Sequence, residues 1–144
     1  MTHASLSHFL NLDVVLKSSS DLSPLIHHLD QKVIVLAHEE FERQLLLVLE
    51  LSDSGSTKDV GRCTQQFLTL IEALPEAERT LWDGCMSRTF TFGFAGGCDF
   101  PALDTTITSE QILRIAKLGA DIGITVYPHQ SNGESSRAPR TEAT

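Results

Sequence analysis

Apolar and polar residues alternate along three segments of the chain, residues 9–17, 89–94 and 122–127. A period of two residues is typical of a strand that packs on one face and meets water on the other. The apolar members of each segment share one face: Leu10, Leu12, Val14 and Leu16, then Phe90, Phe92 and Phe94, and finally Ile122, Ile124 and Val126. The pattern therefore predicts three half-buried strands.

Two further segments are almost continuously apolar, 32-KVIVLA-37 and 44-QLLLVLEL-51. The six residues between them, HEEFER, are mostly charged. Continuous apolar runs indicate strands that are buried on both faces, and a short polar link between two strands is typical of a hairpin. We expect an antiparallel hairpin that is well buried at its centre.

Four segments carry apolar residues at helical spacing. The first begins with Ser23 as the expected cap and Pro24 at the first helical position, where a missing N–H costs nothing. The second begins near Thr57 or Lys58 and ends at Pro75, after which a third helix follows. These segments predict helices between the first strand and the hairpin, and between the hairpin and the middle strand.

The fourth helical segment begins with a capping box, 108-TSEQ-111. In this motif Thr108 caps the helix and Gln111 reaches back to the cap residue. The spacing directs Ile112, Ile115 and Ala116 inward, and the helix is expected to stop at Gly119. This helix connects the middle strand to the last one.

The predicted order of elements is β-α-β-β-α-α-β-α-β. Its first six major elements match the split βαβ order of ferredoxin-like domains, with an extra αβ unit at the end. We therefore predict an α+β fold, a two-layer sandwich in which a five-stranded mixed or mainly antiparallel sheet carries its helices on one face. One domain is expected over residues 8–128, and the polar residues 129–144 are expected to form a disordered tail.

The chain has 144 residues, with 11 Lys and Arg against 19 Asp and Glu, for a net charge of −8. An acidic surface repels nucleic acid and anionic membranes and favours a basic partner. The first residues lack the pattern of a signal peptide, and the longest apolar run, 45-LLLVL-49, is too short for a membrane helix. The three cysteines are widely spaced, which is unlike a disulfide framework, and we expect a cytoplasmic protein.

The glycine-rich stretch 95-AGGCDF-100 allows three interpretations. A phosphate loop needs glycines that lead directly into a helix, but about ten residues separate these from the capping box. A nucleophilic Cys98 needs a base and a positive neighbourhood, whereas Asp99 follows it, although a distant histidine can still fold in beside the thiol. The simplest interpretation is a sharp turn after a tightly packed strand.

Other chemistry is weakly indicated. Six histidines are present, but no spacing typical of a metal site occurs, and neither a metal nor a cofactor is expected. The acidic cluster Glu39, Glu40 and Glu42 has the residue types for acid–base chemistry, yet a hairpin tip offers no pocket to distinguish two carboxylates. A solvated turn is the simpler account of these residues.

A surface is a better functional signal than any single site. Three of the strands place Asn11, Asp13, Thr89, Thr91, Thr125 and Tyr127 on the faces opposite their apolar residues. On an uncovered sheet these side chains form a hydrogen-bonding platform that suits a protein partner, although Thr and Tyr also simply favour strands. The residues predicted to bind the partner, including an acidic rim, are Glu39, Glu40, Glu42, Asp13, Thr91, Asp99, Asp104, Thr125 and Tyr127.

Three segments, 107-ITSEQILRIAKLGADIGITVYP-128, 11-NLDVVLKSSSDLSPLIHHL-29 and the central LPEAERTLWD, resemble a family of small bacterial domains labelled domain of unknown function 4279. The resemblance spans about residues 8–128 and rests on apolar patterning and caps. It implies a small cytosolic α/β domain of bacterial origin and transfers no catalytic residue. Small acidic domains of this kind are often immunity proteins.

The sequence therefore predicts a non-enzymatic protein-binding domain, in its most specific form an immunity protein that binds and neutralises a bacterial toxin. One alternative is a small-molecule-binding regulatory domain with a pocket between the sheet and residues 95–107. A second is a small enzyme that uses Cys98 or a histidine. A homo-oligomer is a further option, because an exposed strand edge can pair with its own copy.

Overall fold

The computed structural model describes residues 5–52 and 59–129. This part of the chain contains five strands and four α-helices in the predicted order. Their bounds are β1 (His8–Ser18), α1 (Ser23–Leu29), β2 (Val33–Phe41), β3 (Gln44–Leu51), α2 (Val60–Glu72), α3 (Glu76–Asp83), β4 (Ser87–Ala95), α4 (Ser109–Lys117) and β5 (Asp121–Tyr127), with a 3₁₀ turn at Asp30–Lys32 before β2. None of these helices is long and apolar enough to cross a membrane.

The five strands form one mixed sheet in the order β2-β3-β1-β4-β5. All neighbouring strands are antiparallel except β4 and β5, which run parallel. β3 lies between β1 and β2, which is the split βαβ arrangement, and the helical connection through α4 adds β5 beside β4. The predicted α+β fold is confirmed, with β2 and β5 as the two edge strands.

The hydrophobic core lies between one face of the sheet and the helices. Its largest members are Trp82 of α3, Phe67 of α2, and Phe90 and Phe92 of β4, all at most 1 % exposed. The Phe67 and Phe90 rings pack edge to face with their centroids 6.1 Å apart. The Trp82 indole N–H donates to the Leu118 carbonyl at 2.9 Å, so its one polar group is satisfied in the core.

Two predicted helix starts differ in detail from the structure. Ser23 does not cap α1, because Leu22 occupies the cap position and the Asp21 carboxylate accepts from both the Ser23 N–H and hydroxyl. These bonds hold the pKa of Asp21 below its ordinary value. For α2, the start expected at Thr57 or Lys58 lies outside the described residues, and Asp59 caps the helix by accepting from the Arg62 N–H.

The capping box of α4 is confirmed. The Thr108 hydroxyl accepts from the Gln111 N–H at 3.1 Å, and the Gln111 amide oxygen accepts from the Thr108 N–H at 3.3 Å. Gln111 is itself buried, and its amide nitrogen donates to the Gly61 carbonyl of α2. The same side chain therefore caps α4 and fastens it to α2.

The hairpin differs from the expected six-residue link. β2 runs on to Phe41, and the turn is only Glu42–Arg43, both with positive φ, as the tight hairpin turns require. Burial at the centre is confirmed for β3, but it is wrong for β2, where Ile34 is 45 % exposed. The reason is position: β2 is an edge strand that the helices do not cover.

The other edge strand differs from the sequence expectation in the same way. Ile122, Ile124 and Val126 share one face as predicted, but they are 38, 66 and 60 % exposed. In α4 the expected inward position of Ile115 is confirmed, whereas Ile112 and Ala116 are exposed. The core therefore buries only some of the apolar residues of α4 and β5.

Candidate functional site

No helix of the described part of the chain lies on the second face of the sheet, which we call the open face. The strand registers place its side chains in rows that run across the sheet. The three central rows are Asn11, Gly93 and Thr125, then Ile34, Glu50, Asp13, Thr91 and Gly123, then Ala37, Val48, Val15, Thr89 and Asp121. Below them lies a row of Glu39, Leu46, Lys17 and Ser87.

The middle of the open face is apolar, with Ala37 and Leu46 next to Val48, and the other neighbouring side chains are polar. Val15 lies directly opposite Val48 on one side and Thr89 on the other, and all three are half-buried. In the next row Asp13 lies between Glu50 and Thr91. An apolar centre with a polar surround is the usual anatomy of a protein–protein interface.

The open face is acidic. Asp13, Glu39, Glu50 and Asp121 lie on it, against Lys17 as the basic residue in the same rows. One carboxylate oxygen of Asp13 is shielded from solvent, whereas Glu39 and Asp121 are exposed. This distribution attracts a basic surface over the whole width of the sheet.

Several predicted partner-binding residues come together on the open face. Asp13, Thr91, Thr125 and Tyr127 all lie on it, as do the neighbouring Asn11 and Thr89. Sequence reasoning missed Glu50, Val48 and Asp121, which share the same rows. The 44–51 run is almost continuously apolar, so its period of two was hidden, and only its register against β1 shows which side chains face outward.

The acidic residues predicted at the hairpin are divided between the two faces of the sheet and the turn. Glu39 faces Leu46 on the open face, while Glu40 faces Leu45 on the opposite side, because successive side chains of a strand point to opposite faces. Glu42 lies in the turn with a φ of 52°. Of the three carboxylates, Glu39 alone belongs to the rows of the open face.

The other two predicted acidic residues lie in the connection between β4 and α4. The Asp99 carboxylate accepts from the backbone N–H of Ser5, which ties this connection to the segment before β1. Asp104 is exposed in the same connection. Both residues lie beyond the end of β4 and outside the rows of the open face.

Cys98 has a histidine beside it. Its Sγ lies 3.9 Å from the Nε2 of His129, and the Nδ1 of that histidine lies 2.7 Å from the Ser5 hydroxyl. A thiol, a base and a group that orients the base are the components of an activated nucleophile. No local signal in the sequence indicates this contact, because it depends on Ala95 and Tyr127 pairing at the ends of β4 and β5.

Four consecutive N–H groups of the glycine loop donate hydrogen bonds within the protein. The N–H groups of Gly96 and Gly97 donate to the Tyr127 carbonyl and the Ser7 hydroxyl, and those of Cys98 and Asp99 both donate to the Ser5 carbonyl. An oxyanion or phosphate site needs free N–H groups that converge on the anion. These four N–H groups already donate to other atoms of the protein. The loop therefore acts as a turn after β4, which is the interpretation that the sequence favoured.

Gly97 explains the glycine-rich composition of the loop. A Cβ at this position would lie 2.2 Å from the Ser5 carbonyl oxygen and 2.6 Å from the carbonyl carbon of Leu6. Such distances are far below contact with backbone atoms that cannot move aside. The glycine is therefore required for the close approach of two chain segments.

Two of the surface clefts in the described part of the chain lie away from residues 95–107. One, of about 440 Å³, is lined by Gln31, Lys32, Leu51, Ser52, Gln65, Gln66, Thr69 and Leu70. The other, of about 410 Å³, is lined by Ser23, Pro24, His27, His28 and Glu78. Across residues 5–52 and 59–129, no three His, Cys, Asp or Glu side chains are grouped so as to hold a metal ion.

Comparisons with known proteins give no match from which a function can be inferred. No family model matches the chain, and no curated protein or solved structure matches it either. The resemblance to domain of unknown function 4279 therefore stays a prediction. The open face and its charge are the observations from which function can be argued.

Proposed function

We propose that the chain is a non-enzymatic protein-binding domain that docks a basic protein partner on its open face. The observation that carries the proposal is an uncovered sheet face with an apolar centre, Val15 and Val48, and acidic side chains around it. The apolar residues supply contact area, and the carboxylates supply attraction and orientation.

The dimensions of the open face favour a protein over a small ligand. Five strands of seven to eleven residues, spaced about 4.8 Å apart, give a surface of roughly 700 Å². A standard protein–protein interface buries about 800 Å² per partner, so the face can carry most of one. Small-molecule sites are instead concave and enclose the ligand.

The most specific form of the proposal is an immunity protein that neutralises a basic toxin. An enzyme that binds nucleic acid needs a positively charged active site, because phosphates dominate its affinity. A chain with a net charge of −8 and an acidic face is complementary to such a site and competes with the nucleic acid for it. The family resemblance points in the same direction.

Glu39 and Glu40 provide a matched test because they are neighbours in β2 on opposite faces of the sheet. Glu39→Lys and Glu40→Lys change the net charge equally, but only the first reverses a charge on the open face. We expect Glu39→Lys to weaken binding of a basic partner about three- to tenfold at low salt, mainly through slower association. Glu40→Lys is expected to bind as the wild type does.

The measurement is affinity capture of partners from the source cell at low and high salt, followed by titration of the isolated partner. Equal losses for the two variants would contradict docking on the open face. If the partner is a toxin, co-expression with the wild type or Glu40→Lys should protect growth, and Glu39→Lys should protect less. Failure of the wild type to protect would contradict the immunity function alone.

A thiol-dependent activity is the second candidate, and the contact between Cys98 and His129 favours it. Cys98→Ala separates the two functions. A binding protein keeps its affinity for the partner when this side chain is shortened, because Cys98 lies outside the rows of the open face. Loss of function in Cys98→Ala with unchanged thermal stability would favour the thiol.

A further inference from the structure

The two edge strands of the sheet differ in how they are protected against pairing. β2 has a bulge between Val35 and Ala37 and carries the charges of Glu39 and Glu40, which are the usual devices that block edge-to-edge association. β5 is regular over its seven residues, and Asp121 at its start is its one charged residue. Within the part of the chain that the structure describes, β5 therefore lacks the features that block edge-to-edge pairing on β2.

We propose that β5 pairs antiparallel with β5 of a second copy of this chain and extends the sheet to ten strands across a twofold axis. The backbone supports this pairing. The Tyr127 carbonyl accepts from Gly96, so alternate residues of β5 point to β4 and the residues between them, Ile122, Ile124 and Val126, direct their N–H and C=O groups outward.

A twofold axis at Ile124, the midpoint of β5, gives the longest possible pairing. Ile124 then faces its own copy and Ile122 faces Val126, with two backbone hydrogen bonds in each of these pairs. The same three residues carry the exposed apolar side chains of the strand. On the other face, Thr125 lies opposite Gly123, which has no side chain to obstruct it, and Asp121 lies opposite Tyr127, whose hydroxyl can donate to the carboxylate.

The apolar surface continues from β5 onto α4. Arg114 lies on the flank of α4 that faces α2, where it binds Glu72. Helical spacing places Ile112 and Ala116 on the opposite flank, and Ile112 is 45 % exposed. Ile112, Ala116, Ile124 and Val126 therefore offer a second copy apolar contacts in both layers of the fold.

The segments outside the described part of the chain contain few apolar residues that could cover this edge. Residues 1–4, 53–58 and 130–144, which lie outside the described part, read MTHA, DSGSTK and QSNGESSRAPRTEAT, with Met1 as their one large apolar residue. A basic partner is also poorly matched, since this edge carries a single acidic side chain. A second copy, by contrast, brings an identical apolar strand.

The charged residue of β5 does not oppose the pairing. In the antiparallel register the two Asp121 side chains lie at opposite ends of the new strand pair, about 20 Å apart. This separation exceeds the Debye length of about 8 Å at physiological ionic strength. The copies can therefore meet at β5 although each carries a net charge of −8.

The size of the contact predicts a weak dimer. A seven-residue strand is about 23 Å long, and the strand and helix layers together are about 20 Å deep, which gives roughly 450 Å² per copy. The total of about 900 Å² is below the 1,200 Å² at which stable complexes begin. Dimerisation is therefore expected to depend on concentration.

The test is sedimentation velocity on the full chain from micromolar to millimolar concentration. The wild type should pass from monomer to dimer, and Ile124→Lys should shift the midpoint by at least tenfold because two charges meet on the axis. Ile124→Pro is a second variant, which introduces no charge and removes an outward N–H rather than a bond to β4. Ile34→Lys is the matched control, the same change at an exposed isoleucine of the other edge.

Amide hydrogen exchange at low and high concentration locates the interface. The N–H groups of Ile122, Ile124 and Val126 should become protected as the dimer forms. A wild type that stays monomeric at millimolar concentration overturns the proposal. So does a dimer that Ile124→Lys leaves intact, or one whose formation does not protect these three amides. None of these outcomes touches the proposed open-face function, which Glu39→Lys tests separately.

Discussion

Cys98 differs from the other two cysteines of the chain in its exposure. Cys63 and Cys85 are buried in the core, whereas Cys98 is exposed beside His129. Burial raises the pKa of the Cys85 thiol, which depletes its reactive thiolate at neutral pH. We expect iodoacetamide at pH 7.5 to modify Cys98 in the folded protein and to spare Cys63 and Cys85, as measured by intact mass and peptide mapping.

Cys98→Ser is the control for this labelling pattern. The variant should take no label in buffer and two labels after unfolding in urea. Modification of Cys85 in the folded wild type as fast as Cys98 would contradict the burial of that side chain.

The 95–100 stretch shows what sequence can say about single residues. Its glycines predicted a turn, and the structure gives that turn a physical reason at Gly97, where a Cβ would overlap the Ser5 backbone. The contact of Cys98 with His129 was not predictable in the same way. It joins residues far apart in sequence and needs the pairing of β4 with β5 before it can exist.

One buried side chain, Gln111, has two roles at the start of α4. Gln111 completes the capping box and also donates to the Gly61 carbonyl, with 7 % of its surface exposed. Gln111→Ala loses part of the cap, worth about 1 kcal/mol, and the side-chain bond to the Gly61 carbonyl, worth about 0.5–1.5 kcal/mol. We expect urea unfolding to report a loss of about 2 kcal/mol.

Glu110→Ala is the matched control, since Glu110 is the exposed neighbour of Gln111 in the same helical turn. Its effect should stay within about 0.5 kcal/mol. Equal losses in the two variants would mean that the buried amide does not link α4 to α2.

At the scale of elements, periodicity predicted the number, type and order of strands and helices, but not which of them are covered. Ile124 and Val35 look like core residues because they alternate with polar neighbours or lie in apolar runs. Their exposure follows from the edge positions of β5 and β2. Whether a strand is buried depends on which elements lie beside it, and this is decided by the topology of the fold rather than by the local sequence pattern.

For the whole molecule, the sheet order explains why the candidate face could be predicted only in part. Asp13 and Thr91 were expected to share a face because both alternate with apolar residues, and the register of β1 with β4 places them opposite each other. Glu50 joins them only through the register of β1 with β3. The acidic character of the open face is therefore a product of the assembled sheet.

The stability of the whole molecule should depend on pH through one ion pair between helices. Arg114 donates two bonds to the Glu72 carboxylate, at 2.8 and 2.7 Å, and this contact holds the pKa of Glu72 below its ordinary value of 4.5. Because the pKa of Glu72 is lower in the folded state than in the unfolded state, the ion pair stabilises the fold at pH values above the ordinary pKa. That stability is lost as the pH falls through the lower, folded-state pKa.

Glu72→Gln removes the ion pair with Arg114 at every pH. At pH 7 its urea midpoint should lie below that of the wild type, by a small amount because both partners are partly exposed to solvent. The gap should close as the pH falls from 5 to 3, since the wild type then loses the same ion pair. Glu40→Gln removes an equal charge far from Arg114 and should show no such closing gap. A separation between Glu72→Gln and the wild type that stays constant from pH 7 to 3 would show that the pair does not stabilise the fold.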